Sequence, residues 1–291
     1  MLTIASLTFK EALRKKILIA ALVLTLLFLA VYGIGLHFIA QEISSHEAEF
    51  RASGGNFSQV EGNMIQDTTK KAFLLLGIYF ASSIVSLLAI FSAVGSVSSE
   101  VENGMLHALL AKPIRRRDVI LGKFTGYALM LALYATLLFV SILGLNHFIF
   151  GSSLSGTLPA VGLFILEPLV LLAVTIAGST KFSTLANGII AFMVYTIGVI
   201  GGMAEQVGAM AQIKMLVTSG IVTSLFMPVD ALYRMIAIII TGPSTNPLSN
   251  FTFGPFGAVS QPSNAMIVYA FFYMAAFVLI AVRAFSKRDI G

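Results

Sequence analysis

The chain has no cysteine among its 291 residues. That excludes a disulfide framework, a thiolate metal site and a cysteine nucleophile, though it says little about compartment in so apolar a chain. Charge is also scarce. Asp, Glu, Lys and Arg make up 11% of the residues, where soluble domains carry about a quarter. Hydrophobic residues make up 57%, and the mean hydropathy is +0.94. A water-soluble fold of this length cannot hide so much apolar surface behind so few charges. There is no His-Glu-x-x-His pair, no convergence of Ser, His and Asp within the apolar runs, and no visible repeat of one half in the other. These absences leave an intramembrane enzyme as the poorest reading.

Long apolar runs are what the chain does have. A helix crosses a bilayer with about 20 mainly apolar residues, which places spans at about 17–40, 72–96, 121–150, 160–178, 186–204 and 265–283. The expected fold is an all-α polytopic membrane protein. The first run is too long for a signal peptide, and no small-x-small cleavage site follows it. Six spans put both termini on one side. With them fall Lys10, Arg14, Lys15, Lys16, Lys112, Arg115, Arg116, Arg117, Lys123, Lys181, Arg283, Lys287 and Arg288, most of the 18 basic residues. Basic residues collect in cytoplasmic loops near span ends, so the reading is a multi-pass protein of the cytoplasmic (inner) membrane with both termini cytoplasmic. Acidic residues show no such bias. The net charge of +5 therefore reads as topology and lipid headgroup contact, not as a nucleic-acid surface.

Residues 205–264 fall outside on this count, yet 215–240 is apolar, broken by Pro228, Asp230 and Arg234. A seventh span here would send Lys287 and Arg288 outward. Helices over about 212–240 that dip into or lie on the outer leaflet fit better, with Asp230 and Arg234 paired at i, i+4; a tight membrane hairpin is the alternative. At the other end of the chain, residues 1–16 carry Leu2, Ala5, Phe9, Ala12 and Leu13 at helical spacing, suiting a helix that lies in the inner interface or a simple basic stop signal.

The most informative segment is the charged island 99–123 between two apolar runs. Ser98 or Ser99 suits a helix cap, Glu100 and Glu102 suit the first turn, and Val101, Met105, Ala108 and Leu109 share one face. Gly104 permits close approach of another backbone. Lys112-Pro113 ends the helix, and Asp118 suits the cap of the third span. A helix over about 98–112 either docks into a groove on a water-side partner or is an interfacial loop held by anionic lipid.

Glu100-x-Glu102-x-Gly104-Met105-Leu106-x-x-Leu109-Leu110-Ala111-x-Pro113-Ile114-x-Arg116, with Gly122-Lys123, resembles the signature of the ABC-2 family of transporter permeases, and the resemblance extends over nearly the whole chain. Pro228-x-Asp230-x-x-x-Arg234 resembles a motif in the branch associated with multicopper-enzyme maturation, including nitrous-oxide reductase accessory permeases. Met105 stands where the family usually has Thr, and Arg115 where it has a small polar residue. The resemblance implies that the island is a coupling helix seated on a separate cytoplasmic ATPase subunit. It also implies two permease subunits per transporter, taken here as a homodimer, and export. Glu100, Glu102, Gly104, Leu106, Leu109, Pro113 and Arg116 would then form or shape the docking surface. ATP and Mg would sit on the partner, with no cofactor bound by this chain. Gly122-Lys123 is no Walker A loop, since Arg117 and Phe124 replace its first Gly and its Ser/Thr.

Other features are weaker. Glu167, before Pro168 in the fourth span, suggests a substrate path or an intramembrane polar contact, and in a stand-alone secondary transporter it would carry the coupling ion. His37, His147, Glu167 and Glu205 lack metal-site spacing. The methionines between Met193 and Met235 read as core fillers, and Gly198-x-x-x-Gly202 as a close helix contact or a dimer seam.

Overall fold

The computed structural model describes residues 1–52, 59–102, 115–151, 157–242, 253 and 256–287. Among them helices are α1 (Leu2–Arg14), α2 (Lys16–Ala52), α3 (Gln59–Ala93), α4 (Ser98–Glu102), α5 (Arg116–Phe150), α6 (Leu158–Ser179), α7 (Thr184–Ala211), α8 (Lys214–Phe226), α9 (Val229–Thr241) and α10 (Ala265–Lys287). No strand occurs among the described residues. Six helices are long and apolar enough to cross a membrane: α2, α3 with its continuation to Glu100, α5, α6, α7 and α10.

Apolar residues on all sides of a helix require either protein or lipid around it. α6 takes the first solution. It packs on α3, α5, α7, α9 and α10 and is mostly buried, with Phe164 set against Phe139 of α5 at 5.0 Å between ring centroids. α2 and α10 take the second and leave most of their side chains facing outward, Leu26, Val31 and Phe272 among them.

α1 is two-faced. Ile4, Ala5 and Thr8 lie on Gly122 and Gly126 of α5, so closely that a Cβ at either glycine would overlap them. Leu2 and Leu7 point away and are exposed. The face that meets protein is thus made by Ile4, Ala5, Thr8, Phe9 and Ala12, which takes Ala5, Phe9 and Ala12 from the apolar periodicity and leaves Leu2 and Leu13 exposed. The leucines of α1, Leu2, Leu7 and Leu13, face the surroundings.

α8 runs back along α7. Leu216 lies on Gly208, Thr223 on Gly201 and Met227 on Gly198, so the two helices are antiparallel and in close contact. From Ala211 to Gly198 the descent is about 20 Å at 1.5 Å per residue, about half the length of α7. The chain then turns by 107° into α9. Met227 before Pro228 is extended, as the proline ring demands, and the break is buried in protein. Irregular backbone at membrane depth survives only where protein covers it. Each arm has 13 residues and is too short to cross alone. The two arms form a bent pair, and α9 runs to α3, where Lys71 Nζ donates to Thr241 O at 3.3 Å.

Candidate functional site

The end of the molecule where α1 lies and α10 finishes holds a dense polar belt. Its centre is the short stretch from α3 through α4. Lys123 of α5 places Nζ 2.5 Å from Glu100 Oε1 and also donates to Ser96 O. Glu102 accepts from Thr184 N at 3.1 Å and from Thr184 Oγ1 at 3.2 Å. A carboxylate at that point satisfies an orphan donor at the start of α7 and faces the positive end of its dipole. Arg116, at the start of α5, donates to Phe285 O and Ser286 O at 3.4 Å, in the last turn of α10.

Further bonds tie the belt to the other helices. Ser96 and Ser179 share a hydrogen bond of 3.1 Å, and Asn187 Nδ2 donates to Val94 O and Thr175 O at 2.8 and 3.0 Å. Lys15, at the corner of α1 and α2, donates to Tyr127 Oη at 2.6 Å and Ser92 O at 3.2 Å. Burial disfavours its ammonium, but Tyr127 and Glu11 more than offset this and hold Lys15 above the ordinary lysine value.

The residues marked in the sequence separate here into two groups. Glu100, Glu102 and Arg116 are bonded within the chain to α5, α7 and α10. Gly104, Leu106, Leu109 and Pro113, with the rest of the expected helix to residue 112, lie outside the described residues. Two local expectations change. Ser98 and Ser99 direct their hydroxyls to Thr184 Oγ1 and to the Val94 and Gly95 carbonyls, one turn back, and not to a cap. Arg115 holds the N-cap position of α5, with Asp118 inside the first turn.

Glu167 is 1% exposed, and Ser82 of α3 donates to its Oε1. Its other oxygen and the nearby Ser86 hydroxyl have no hydrogen-bond partner. The contact joins α6 to α3 in the middle of the bundle.

At the far end, Arg234 is 1% exposed and held by two carboxylates. Its Nη1 and Nη2 donate to Glu205 Oε1 and Oε2 at 2.6 and 2.8 Å, and Nε lies 3.0 Å from Asp230 Oδ2. Nη2 also donates to Ser224 Oγ, and Nη1 to Ser260 O. Ser260 Oγ donates to Glu205 Oε1 at 2.5 Å, and Gln206 binds Gly257, Val259 and Ser260 backbone groups. Asp230 and Arg234 pair at i, i+4 as their spacing suggests. The second partner, Glu205, comes from another helix and was not visible as one. Gly202 admits the Asp230 carboxylate where a Cβ would stand. The Gly198-x-x-x-Gly202 face is therefore filled by Met227 and Asp230 of the same chain, which excludes it as a dimer seam.

A family model described as ABC-2 family transporter protein matches residues 2–290. No curated protein matches the chain.

Proposed function

The chain belongs to the ABC-2 family of transporter proteins, and from that membership we propose that it is the permease subunit of an ABC exporter. Two such subunits, as a homodimer in the cytoplasmic membrane with both termini inside, alternate access as separate cytoplasmic ATPase subunits close on ATP. ATP and Mg belong to those partners. The link to multicopper-enzyme maturation is part of the proposal and rests on Pro228, Asp230 and Arg234.

The observation that carries this reading is the root of the island. Glu100 bonds α5 and Glu102 bonds α7 at the point where the chain leaves α4. A push on residues 103–114 from the water side would act next to Glu100 and Glu102, which bond both spans directly. Docking then falls to Gly104, Leu106, Leu109 and Pro113, and transmission to Glu100, Glu102 and Arg116.

The test is to co-purify the chain with the ATPase encoded beside its gene and to measure assembly, ATP turnover and transport. Leu109→Glu should abolish assembly. Glu102→Ala should leave the complex intact and uncouple turnover from transport. Absence of a complex with the wild-type chain sinks the reading. Transport that persists without ATP and stops on Glu167→Gln would point instead to a secondary transporter.

A further inference from the structure

A cavity of about 440 Å³ lies beside the bent α8–α9 pair, between α8, α9, the 260–263 loop and the start of α10. Its polar floor is the Glu205–Arg234 pair with Ser224 and Ser260. Its other side is apolar, formed by Ile221, Leu225 and Met266, with Tyr269 beside them. Ile221 and Leu225 are about half exposed on the outer surface of α8, at 47% and 48%. The volume is that of a small-molecule site.

The hydrogen bonding decides which sign of charge this floor accepts. The guanidinium has five N–H groups and no acceptor. Four are directed at Glu205 Oε1, Glu205 Oε2, Ser224 Oγ and Ser260 O, and Nε faces Asp230. Nε has no hydrogen-bond partner, but it is buried 3.0 Å from Asp230 Oδ2 and does not open on the cavity, so Arg234 presents no free donor there. The carboxylates are different, because each oxygen has two acceptor positions and Glu205 Oε2 receives a single bond in the structure. Glu205 and Arg234 are the charged side chains that line the cavity among the described residues, and Asp230 backs the guanidinium from outside it. Tyr269 donates to Leu225 O, so its ring is held at the wall, where a cation gains from an aromatic face.

We propose that this cavity is a binding site for an alkylammonium amphiphile. The ammonium group donates to Glu205 beside Tyr269, and the alkyl tail leaves between α8 and α10 along Ile221, Leu225 and Met266. Binding here requires neither ATP nor a partner subunit, so its failure would leave the export reading untouched.

The test uses the full chain purified in a neutral maltoside detergent, with radiolabelled octylammonium as the probe and octanol and octanoate as competitors. Saturable octylammonium binding that neither competitor displaces is expected. Glu205→Gln should weaken it about tenfold, the scale of one charge-assisted hydrogen bond. Leu225→Trp fills the cavity from its lipid side without touching the ion pairs and should abolish binding even if Glu205→Gln fails to fold. Competition by octanol or octanoate as strong as that by unlabelled octylammonium overturns the proposal. So does unchanged binding in folded Leu225→Trp.

Discussion

The Lys123 ammonium lies 2.5 Å from the Glu100 carboxylate, joining the root of the charged island to the span that follows it. Both groups are largely withdrawn from water, so the pair behaves as a unit. Loss of one member strands the other. Lys123→Met should destabilise the folded chain by about 3 kcal/mol, the lower part of the range for breaking a buried ion pair. Lys123→Met with Glu100→Gln should recover part of that loss. Thermal unfolding of the two variants in detergent checks this, and a double variant no more stable than the single one would rule the coupling out.

Glu102 makes a different case because it is exposed. Its bonds to Thr184 are open to water and add little to stability. Glu102→Ala should therefore leave unfolding nearly unchanged while reducing ATP-driven transport. Glu102→Gln keeps an acceptor for the Thr184 N–H and should retain more transport than alanine. If alanine and glutamine give equal transport, the bond to α7 carries no force.

Arg234 joins two buried carboxylates. Arg234→Met would leave Glu205 and Asp230 facing each other without a cation, at a cost of about 3–5 kcal/mol. Reduced expression and early proteolysis between α8 and α9 should follow. Arg234→Lys should rescue only in part, since an ammonium cannot reproduce the two parallel bonds to Glu205. Full stability of Arg234→Met in a protease-protection assay would show that the triad is not what holds the bent pair.

Gly126 lies under the Ala5 carbonyl and the Thr8 side chain. A side chain there must push α1 off α5, because a backbone oxygen cannot rotate away. Gly126→Val should cost about 1–3 kcal/mol of packing and expose the covered face of α1. The chain has no cysteine, so Thr8→Cys serves directly as a reporter. It should be poorly reactive on its own and readily modified when combined with Gly126→Val; equal reactivity in both would place α1 elsewhere.

Sidedness follows from the same cysteine-free background. Lys287→Cys should react with an impermeant maleimide only from the cytoplasmic side, and Lys214→Cys only from outside. Labelling of both from one side would overturn the six-span topology.

The spans were legible because twenty apolar residues in a row have one explanation, and the Asp230–Arg234 pair because i, i+4 neighbours share a helix face. Glu205 was hidden for the opposite reason. It lies 29 residues from Arg234 on a separate helix, and periodicity along one helix says nothing about which residue of another it meets. Lys123 read as a topological charge, since a single lysine near a span end carries no mark of its partner. Gly122 and Gly126 form the same small-x-x-x-small spacing as Gly198 and Gly202. Only the second pair stood out, because it lies in an apolar run, while Gly122 belongs to a charged motif that already had a reading.

The bent α8–α9 pair also adds to the cross-section at one end of the molecule. Six helices are long and apolar enough to cross a membrane, α8 and α9 pack beside the Gly198–Gly208 part of α7, and α1 packs on Gly122 and Gly126 of α5. Each helix is about 10 Å across, so the bent pair adds roughly 160 Å² of cross-section on that side. The two ends of the chain therefore carry different added helices, α1 at one and the α8–α9 pair at the other. A bilayer whose leaflets differ in lateral pressure presses unequally on its two halves, and any conformational change that opens or closes the α8–α9 end does work against the pressure of that leaflet.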